Sequence, residues 1–421
     1  MLVYILDKDN KPLMPCCPRI AKLLLRDGKA IVTQRTPFTI KLLFGSSGYK
    51  QEIILGVDAG SKTIGLSATT DKKELFSAEV QLRTDIVDLL SSRRQNRRTR
   101  RNRLRYRKPR FLNRVSSKNK GWLAPSIKNK IQTHICIIEK LHKILPITKI
   151  IVEVAQFDIQ KIKNPDISGV EYQQGEQLDF FNVREYVLYR DDHKCQLCNG
   201  KSKDKILNVH HIESRKTGGN APNNLVTLCE TCHKKHHEDN ITLKVKRGQL
   251  FKDASFMGIM RWAFYNAIKE KYPNVSLTYG YITKNTRITN KLPKEHRIDA
   301  LCITGNPIVK KLKTNYCVKQ VRKHNRQIHK ANILKGGEKK LNQAPYLVKG
   351  FRLFDKVKFE DRECFIFGRR NTGYFDLRIL NGTKINASAS VKKLKLLEVR
   401  NSLLWERRKQ VIGVHGIPPL P

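Results

Sequence analysis

The sequence predicts a multidomain α/β protein, and three observations predict it. Short apolar strand segments alternate with stretches of helical periodicity along most of the chain. Two Cys-x-x-Cys pairs, Cys195/Cys198 and Cys229/Cys232, interrupt that alternation. The last part, Tyr346 to Val399, alternates apolar and polar residues around the turn signals Asn371-Thr372-Gly373 and Asn381-Gly382, which suits a small antiparallel barrel. At 421 residues and 39% hydrophobic, the chain has room for about two to four domains, each with its own core.

In order, residues 1–50 read as a small α/β module. Val3–Leu6 is a strand, and Asp9-Asn10-Lys11-Pro12 has turn chemistry. Pro18 opens a helix with Ile20, Leu23 and Leu24 on one face, ended by Gly28, and strands follow at Ala30–Arg35 and Phe38–Phe44. Ile53–Asp58 and Ile64–Thr70 are buried-type strands. Ser126 caps an amphipathic helix with Ile127, Ile131, Ile135, Ile138, Leu141 and Leu145 at helical spacing, feeding the strand Lys149–Ala155. Ala254–Glu270 is helical, Val275–Tyr281 strand-like, and His296–Ile303 helical. Cys136, Cys302 and Cys364 sit in apolar segments and read as small buried residues.

Charge narrows the function. Lys and Arg number 83 against 37 acidic residues, a formal net charge of +46. Self-repulsion on this scale disfavours a compact state unless a polyanion neutralises it, and nucleic acid does so while releasing condensed counterions. Between Ser91 and Arg114 there are eleven Arg, one Lys and no acid, which suits a helix laid against phosphates. No basic amphipathic helix, long apolar run or secretory pattern points to a membrane, so the expected compartment is the cytoplasm.

Three separated carboxylates form a first candidate centre. Two-metal hydrolysis of a phosphodiester needs carboxylates converging from different elements, so that two hard cations sit a few ångströms apart. Asp58 at a strand end, Glu153 among Ile and Val, and Asp299 on a helix suit this, with His296 one turn before Asp299. Each alone has a plainer reading: a turn residue, the wet face of an edge strand, a helix surface. The Asp58-Ala59-Gly60 loop also resembles the phosphate loop of actin-like ATPases, but no further Gly-rich nucleotide loops follow.

The cysteine pairs frame the second. Four thiolates suit a closed tetrahedral zinc site, which in a cytoplasmic chain is the expected use of such pairs and leaves the histidines between and after them free. Were Thr231–His237 helical, His233 and His237 would share a face, while Cys232 and His236 would occupy a neighbouring one. Cys232 could then hold zinc while His233 and His237 face a second, open metal. His236 has no expected chemical role, and a purely structural zinc ribbon is the alternative.

Val209-His210-His211-Ile212-Glu213, with Asn223-Asn224 and Cys229-x-x-Cys232-His233, resembles the HNH nuclease, a ββα-metal hairpin. On that resemblance His211 is the general base, His210, His233 and His237 hold the catalytic cation, and Asn224 orients the loop and His211. Many relatives have Asp where His210 stands, which leaves that cation's identity open. The segments Ile54-Leu55-Gly56-Val57-Asp58-Ala59-Gly60, Ile151-Val152-Glu153-Val154-Ala155 and His296-x-x-Asp299-Ala300 together resemble a RuvC-type nuclease core, a ribonuclease H-like fold split into three segments.

The whole order, with Lys11-Pro12-Leu13-Met14-Pro15, Glu171-Tyr172-Gln173-Gln174-Gly175 and Asn325-Arg326-Gln327-x-His329, resembles the transposon-associated IscB nucleases, relatives of the CRISPR effectors. The resemblance implies a Pro-Leu-Met-Pro module at 1–50, RuvC segments at 51–85, 119–160 and 246–315, a bridge helix at 86–118, a linker at 161–183 and HNH at 184–245. Residues 316–421 become a basic RNA-binding segment and a barrel reading a target-adjacent motif. It implies a monomeric ribonucleoprotein of a prokaryotic cytoplasm, with a structured guide RNA and double-stranded target DNA as partners. HNH would cut the guide-paired strand and RuvC the displaced one. Arg93, Arg94, Arg97, Arg98, Arg100, Arg101, Arg103, Arg105, Arg107 and Arg110, with Arg322 and Arg326, would grip nucleic acid through bidentate phosphate contacts. Magnesium is expected on Asp58, Glu153 and Asp299 and also at HNH, with structural zinc on the four cysteines. The alternatives are an unguided, resolvase-like nuclease and a non-catalytic nucleic-acid-binding scaffold.

Overall fold

The computed structural model describes residues 2–46, 48–104, 123–154, 180, 182–213, 220–238, 243, 252–322 and 345–409. The chain forms two compact units: Met1–Ala155 with Met257–Pro421, and Gln156–Phe256.

The first unit begins with a four-stranded sheet, β1 (Val3–Leu6), β2 (Pro12–Cys16), β3 (Ala30–Gln34) and β4 (Thr39–Leu42), in the order β2-β1-β4-β3. Asn10, at φ 63°, turns the first hairpin, and β2 starts at Pro12, where the sequence reading ends a turn. Helix α1 (Pro18–Arg26) has Pro18 in its first turn and stops before Gly28 at φ 65°. Its packed residues are Ala21, Leu24 and Leu25, while Ile20 and Leu23 are exposed. The expected face is therefore rotated, because the sheet selects the i, i+3, i+4 set beginning at the small Ala21.

The chain then runs through β5 (Ile54–Asp58), β6 (Thr63–Thr69), β7 (Glu74–Gln81), α2 (Ile86–Leu104), α3 (Pro125–His142) and β8 (Lys149–Val154). Strands β5 and β6 are buried along nearly their whole length, as strands covered on both faces must be. Helix α3 starts with Pro125 after Ala124, so Ser126 lies inside the first turn and is not its cap. Ile127, Ile131, Ile137, Ile138 and Leu141 are its buried apolar residues, whereas Ile135 and Cys136 are only half-buried.

His134 on α3 is fully buried. Its Nδ1 lies 2.8 Å from the Lys130 carbonyl and its ring centre 4.8 Å from that of Phe264. Nε2 has no hydrogen-bond partner, and burial pushes the pKa down to about 4. The unfolded chain thus binds a proton that the folded one refuses. The stability so conferred is complete above about pH 6.5 and drains away as pH falls towards 4, by up to about 3 kcal/mol. Melting curves should fall over this window, and His134→Gln should flatten the slope. An unchanged slope in that variant would remove this account.

The second unit is described next in chain order. Helix α4 (Val183–Arg190) is capped by Asn182, whose side chain accepts the Glu185 N–H at 3.0 Å. Strands β9 (Leu207–His211) and β10 (Leu225–Cys229) pair antiparallel, with His211 opposite Leu225, and helix α5 (Glu230–Glu238) follows directly. The small core contains Val226, Leu228, Cys195, Cys229 and Cys232.

Next come α6 (Lys252–Lys271), whose residues from Met257 belong to the first unit, and β11 (Val275–Tyr279), α7 (Gly280–Thr289), α8 (His296–Ile303) and β12 (Thr314–Gln320). Strands β13 (Lys356–Phe359), β14 (Arg362–Arg369), β15 (Tyr374–Arg378), β16 (Lys384–Ser390), β17 (Leu394–Glu398) and β18 (Leu403–Lys409) complete it. The main sheet has the order β11-β8-β5-β6-β7-β12-β18. Strands β5, β6 and β7 are antiparallel, whereas β8 is parallel to β5 and β11 to β8. The sequence reading places residues 316–421 apart from this sheet. Instead β12 pairs parallel with β7, and β18 closes against β12.

Strands β13 to β17 form their own antiparallel sheet, β16-β15-β14-β13-β17, around Val357, Ile366, Phe375 and Leu377. Its bulges curve it, but β16 and β17 are edges joined by a 3-10 turn at Val391–Lys393. By hydrogen bonding it is an open sheet where the sequence suggests a barrel. No described helix is long and apolar enough to cross a membrane.

Candidate functional site

Parallel neighbours β5 and β8 end at the same edge of the main sheet, which brings Asp58 and Glu153 together. Two glycines admit the third element. A Cβ on Gly56 would lie 2.1 Å from the Ala300 carbonyl oxygen, and one on Gly65 would lie 1.9 Å from that of His296. Helix α8 therefore presses its backbone onto β5 and β6, and this seats His296 on Asp58, with Asp299 one turn further along the helix. His296 Nδ1 donates to Asp58 Oδ2 at 2.6 Å, and that bond pushes the His296 pKa up. Burial, followed by the charge of Asp58, raises the carboxyls of both Glu153 and Asp299.

Two arginines that sequence reasoning missed complete this centre. Arg261 on α6 is 7% exposed, and its Nε donates to the Ala59 carbonyl at 2.9 Å. Its Nη1 lies 3.1 Å from Glu153 Oε1, and its Nη2 lies 3.7 Å from Asp58 Oδ1. Arg287 on α7 places Nε 2.9 Å from Asp299 Oδ1, close but not aligned as a hydrogen bond. One signal was available: Arg261 is a lone charge between Met260 and Phe264 on a helix face that is otherwise apolar.

Hard carboxylate oxygens suit a hard divalent cation, and here guanidinium groups supply positive charge among them. Among the described residues two sets of donors lie within 4.8 Å of one another, and both are in the second unit. They are Cys195, Cys198, Cys229 and Cys232, which fit tetrahedral zinc, and His210, His233 and His237.

The second unit separates these sets by geometry. Cys229 ends β10 and Cys232 lies in the first turn of α5; both are buried with Cys195, while Cys198 is half-buried. His233 and His237, one turn apart on α5, have ring centres 4.6 Å from each other and 5.1 Å from that of His210. Burial and the neighbouring imidazoles push the His210 pKa down to about 4, so it is neutral at pH 7 and offers a lone pair. His236 joins the imidazoles too: its ring centre is 4.7 Å from that of His210 and 5.5 Å from that of His237.

His211 is outside the thiol cluster and, with these imidazoles, lines a cavity of about 440 Å³. Asn224 is fully buried; its Oδ1 accepts the Glu213 N–H at 2.9 Å and its Nδ2 donates to the Glu213 carbonyl at 3.0 Å. It therefore pins the loop just after His211. The side chain that meets His211 is Asn220, with 3.0 Å between Oδ1 and Nε2.

Of the predicted nucleic-acid ligands, Arg93, Arg94, Arg97 and Arg98 are exposed on α2. Arg100, Arg101 and Arg103 belong to the same helix. Arg322 is half-buried, and its carbonyl accepts from Arg400. Arg105, Arg107, Arg110 and Arg326 lie outside the described residues, as do the expected linker motif at 171–175 and the segment at 325–329.

A family model described as RRXRR protein matches residues 3–175, and one described as HNH endonuclease matches residues 195–239. No curated protein matches the chain. Similar solved structures include Streptococcus thermophilus Cas9 in complex with the AGAA PAM, at 14% identity and a TM-score of 0.33, covering 50% of this chain and 30% of that one. Another is the Type II-C Cas9 enzyme from Actinomyces naeslundii, at 10% identity and a TM-score of 0.25, covering 61% of this chain and 60% of that one.

Proposed function

We propose that this chain, an IscB/Cas9-like, metal-dependent DNA nuclease with an HNH endonuclease segment at 195–239, cuts both strands of a duplex chosen by a bound guide RNA. The carrying observation is the presence of two separate reactive constellations on one body with a net charge of +46. The first, Asp58, Glu153, His296 and Asp299, acts as a RuvC-type centre. The strand order β7-β6-β5-β8-β11, three antiparallel strands followed by two parallel ones, supports that reading. The second acts on the opposite strand.

In the second centre His211 takes the proton of the attacking water, held by Asn220 and by the loop that Asn224 pins. His210, His233 and His237 would hold a divalent cation there, and Asp58, Glu153 and Asp299 would hold magnesium in the first. Such ions polarise phosphate oxygens and lower the pKa of water. The four thiolates hold zinc, which shapes the hairpin. The exposed arginines of α2 grip the guide backbone, the second centre cuts the guide-paired strand, and the β13–β17 sheet reads a short motif beside the target.

Sequencing the RNA that travels with the purified protein tests guidance. One discrete structured species with a variable end is expected, and RNase treatment should abolish target cutting. Cutting indifferent to RNase would replace this reading with an unguided, structure-specific nuclease.

A further inference from the structure

We propose that Arg261 is a built-in counter-cation of the carboxylate centre, and that a divalent ion loads there only by displacing it. This rests on the reading of Asp58, Glu153 and Asp299 as a metal-binding nuclease centre.

The position of the side chain is a built one. Arg261 sits on α6 beside Met260, Phe264 and Ile268, whose side chains are all fully buried, so the helix face that carries it is otherwise apolar. Its Nε is tied to the Ala59 carbonyl at 2.9 Å, one residue past Asp58, which aims the planar fork at the acids. Nη1 then meets Glu153 Oε1 at 3.1 Å and Nη2 approaches Asp58 Oδ1 at 3.7 Å. These are two of the carboxylates that would hold the ion.

The charges balance without one. Asp58 turns its other oxygen to His296, and Asp299 faces the guanidinium of Arg287. Three carboxylates thus meet two permanent cations and an imidazole that can carry a third. Buried acids left uncompensated would neutralise by taking up protons. Arg261 places one compensating charge between Glu153 and Asp58. The same charge opposes a metal: a divalent ion held by Glu153 and Asp58 would meet the guanidinium that those carboxylates already face. The fork must therefore swing away before the ion can bind, and that displacement weakens binding.

Manganese serves as the probe, titrated by calorimetry into the full-length chain. Asp58→Ala identifies which binding belongs to this centre. If Asp58→Ala and the unaltered chain titrate identically, the carboxylates hold no metal and the parent reading fails. If Asp58→Ala removes a site, Arg261→Met should bind manganese there about 10-fold more tightly. Arg261→Lys, whose shorter ammonium cannot reach all three oxygens, should fall between. Arg261→Met should also melt lower than the unaltered chain in chelator and gain more from added manganese. Affinity that is unchanged or weaker in Arg261→Met would overturn the proposal and leave Arg261 as a fixed support of the acids. Should Arg261→Met fail to fold, the unaltered chain decides: the Arg261 Nε–H, protected from solvent exchange in chelator, should lose that protection with saturating magnesium. Protection that persists overturns the proposal equally.

Discussion

A chain carrying Asp58→Ala together with His211→Ala should cut neither strand of a guide-matched duplex, yet still hold its RNA. Each single change should leave a nick in one strand, and the two nicks should fall on opposite strands. Asp58 accepts the His296 hydrogen bond, neighbours the Arg261 fork and carries part of the negative charge in its centre. Its loss leaves Arg261 with Glu153 alone. His211 lies in the other unit, outside the thiol cluster and beside the imidazole set. General-base catalysis is worth about 10²- to 10⁴-fold, so cutting of the strand served by His211 should slow by that factor in His211→Ala. Neither residue lies on the arginine-rich helix, so RNA binding should persist. Separate end labels on the two strands resolve the outcome on one gel. A double variant that cuts both strands at the ordinary rate would show that the chemistry lies elsewhere.

The second large effect is expected at the thiols. Cys229→Ala or Cys232→Ala should strip the chain of zinc and unfold the second unit. The hairpin core there is small, and Cys195, Cys229 and Cys232 are themselves part of it. Zinc binding by four-ligand sites in small domains is worth about 10 to 16 kcal/mol, comparable with or greater than the whole stability of a typical domain at about 5 to 15 kcal/mol. A domain this short cannot replace that contribution with apolar burial. Metal analysis should show one zinc per chain falling to none, and cutting by the His211 centre should disappear. Nicking by the carboxylate centre should survive, because its residues belong to the first unit. Retained zinc, or retained cutting by the His211 centre, would refute a closed thiolate site.

Legibility in the sequence followed the range of the interactions. The cysteine pairs and the helix carrying His233 and His237 were legible because their spacings lie within a few residues, where helix and turn geometry act directly. Strands β5 and β8 were legible as apolar runs each interrupted by one carboxylate. Strand β7 and helix α7 were missed. So was β12, Thr-Asn-Tyr-Cys-Val-Lys-Gln, whose mixed composition hides a strand placed between β7 and β18. Asn220 was given no role, because its contact with His211 depends on how the loop folds back.

Local order, then, determined the chemistry available: where thiols and imidazoles cluster, which apolar runs carry a carboxylate, and a net charge of +46. Tertiary structure alone decided how the carboxylate centre is held. Arg261 lies 202 residues from Ala59, and His296 lies 238 from Asp58. Periodicity carries no information over such separations. The pairing of β5 with β8, and the seat that Gly56 and Gly65 leave for α8, make those contacts by excluding every other arrangement of packed backbone.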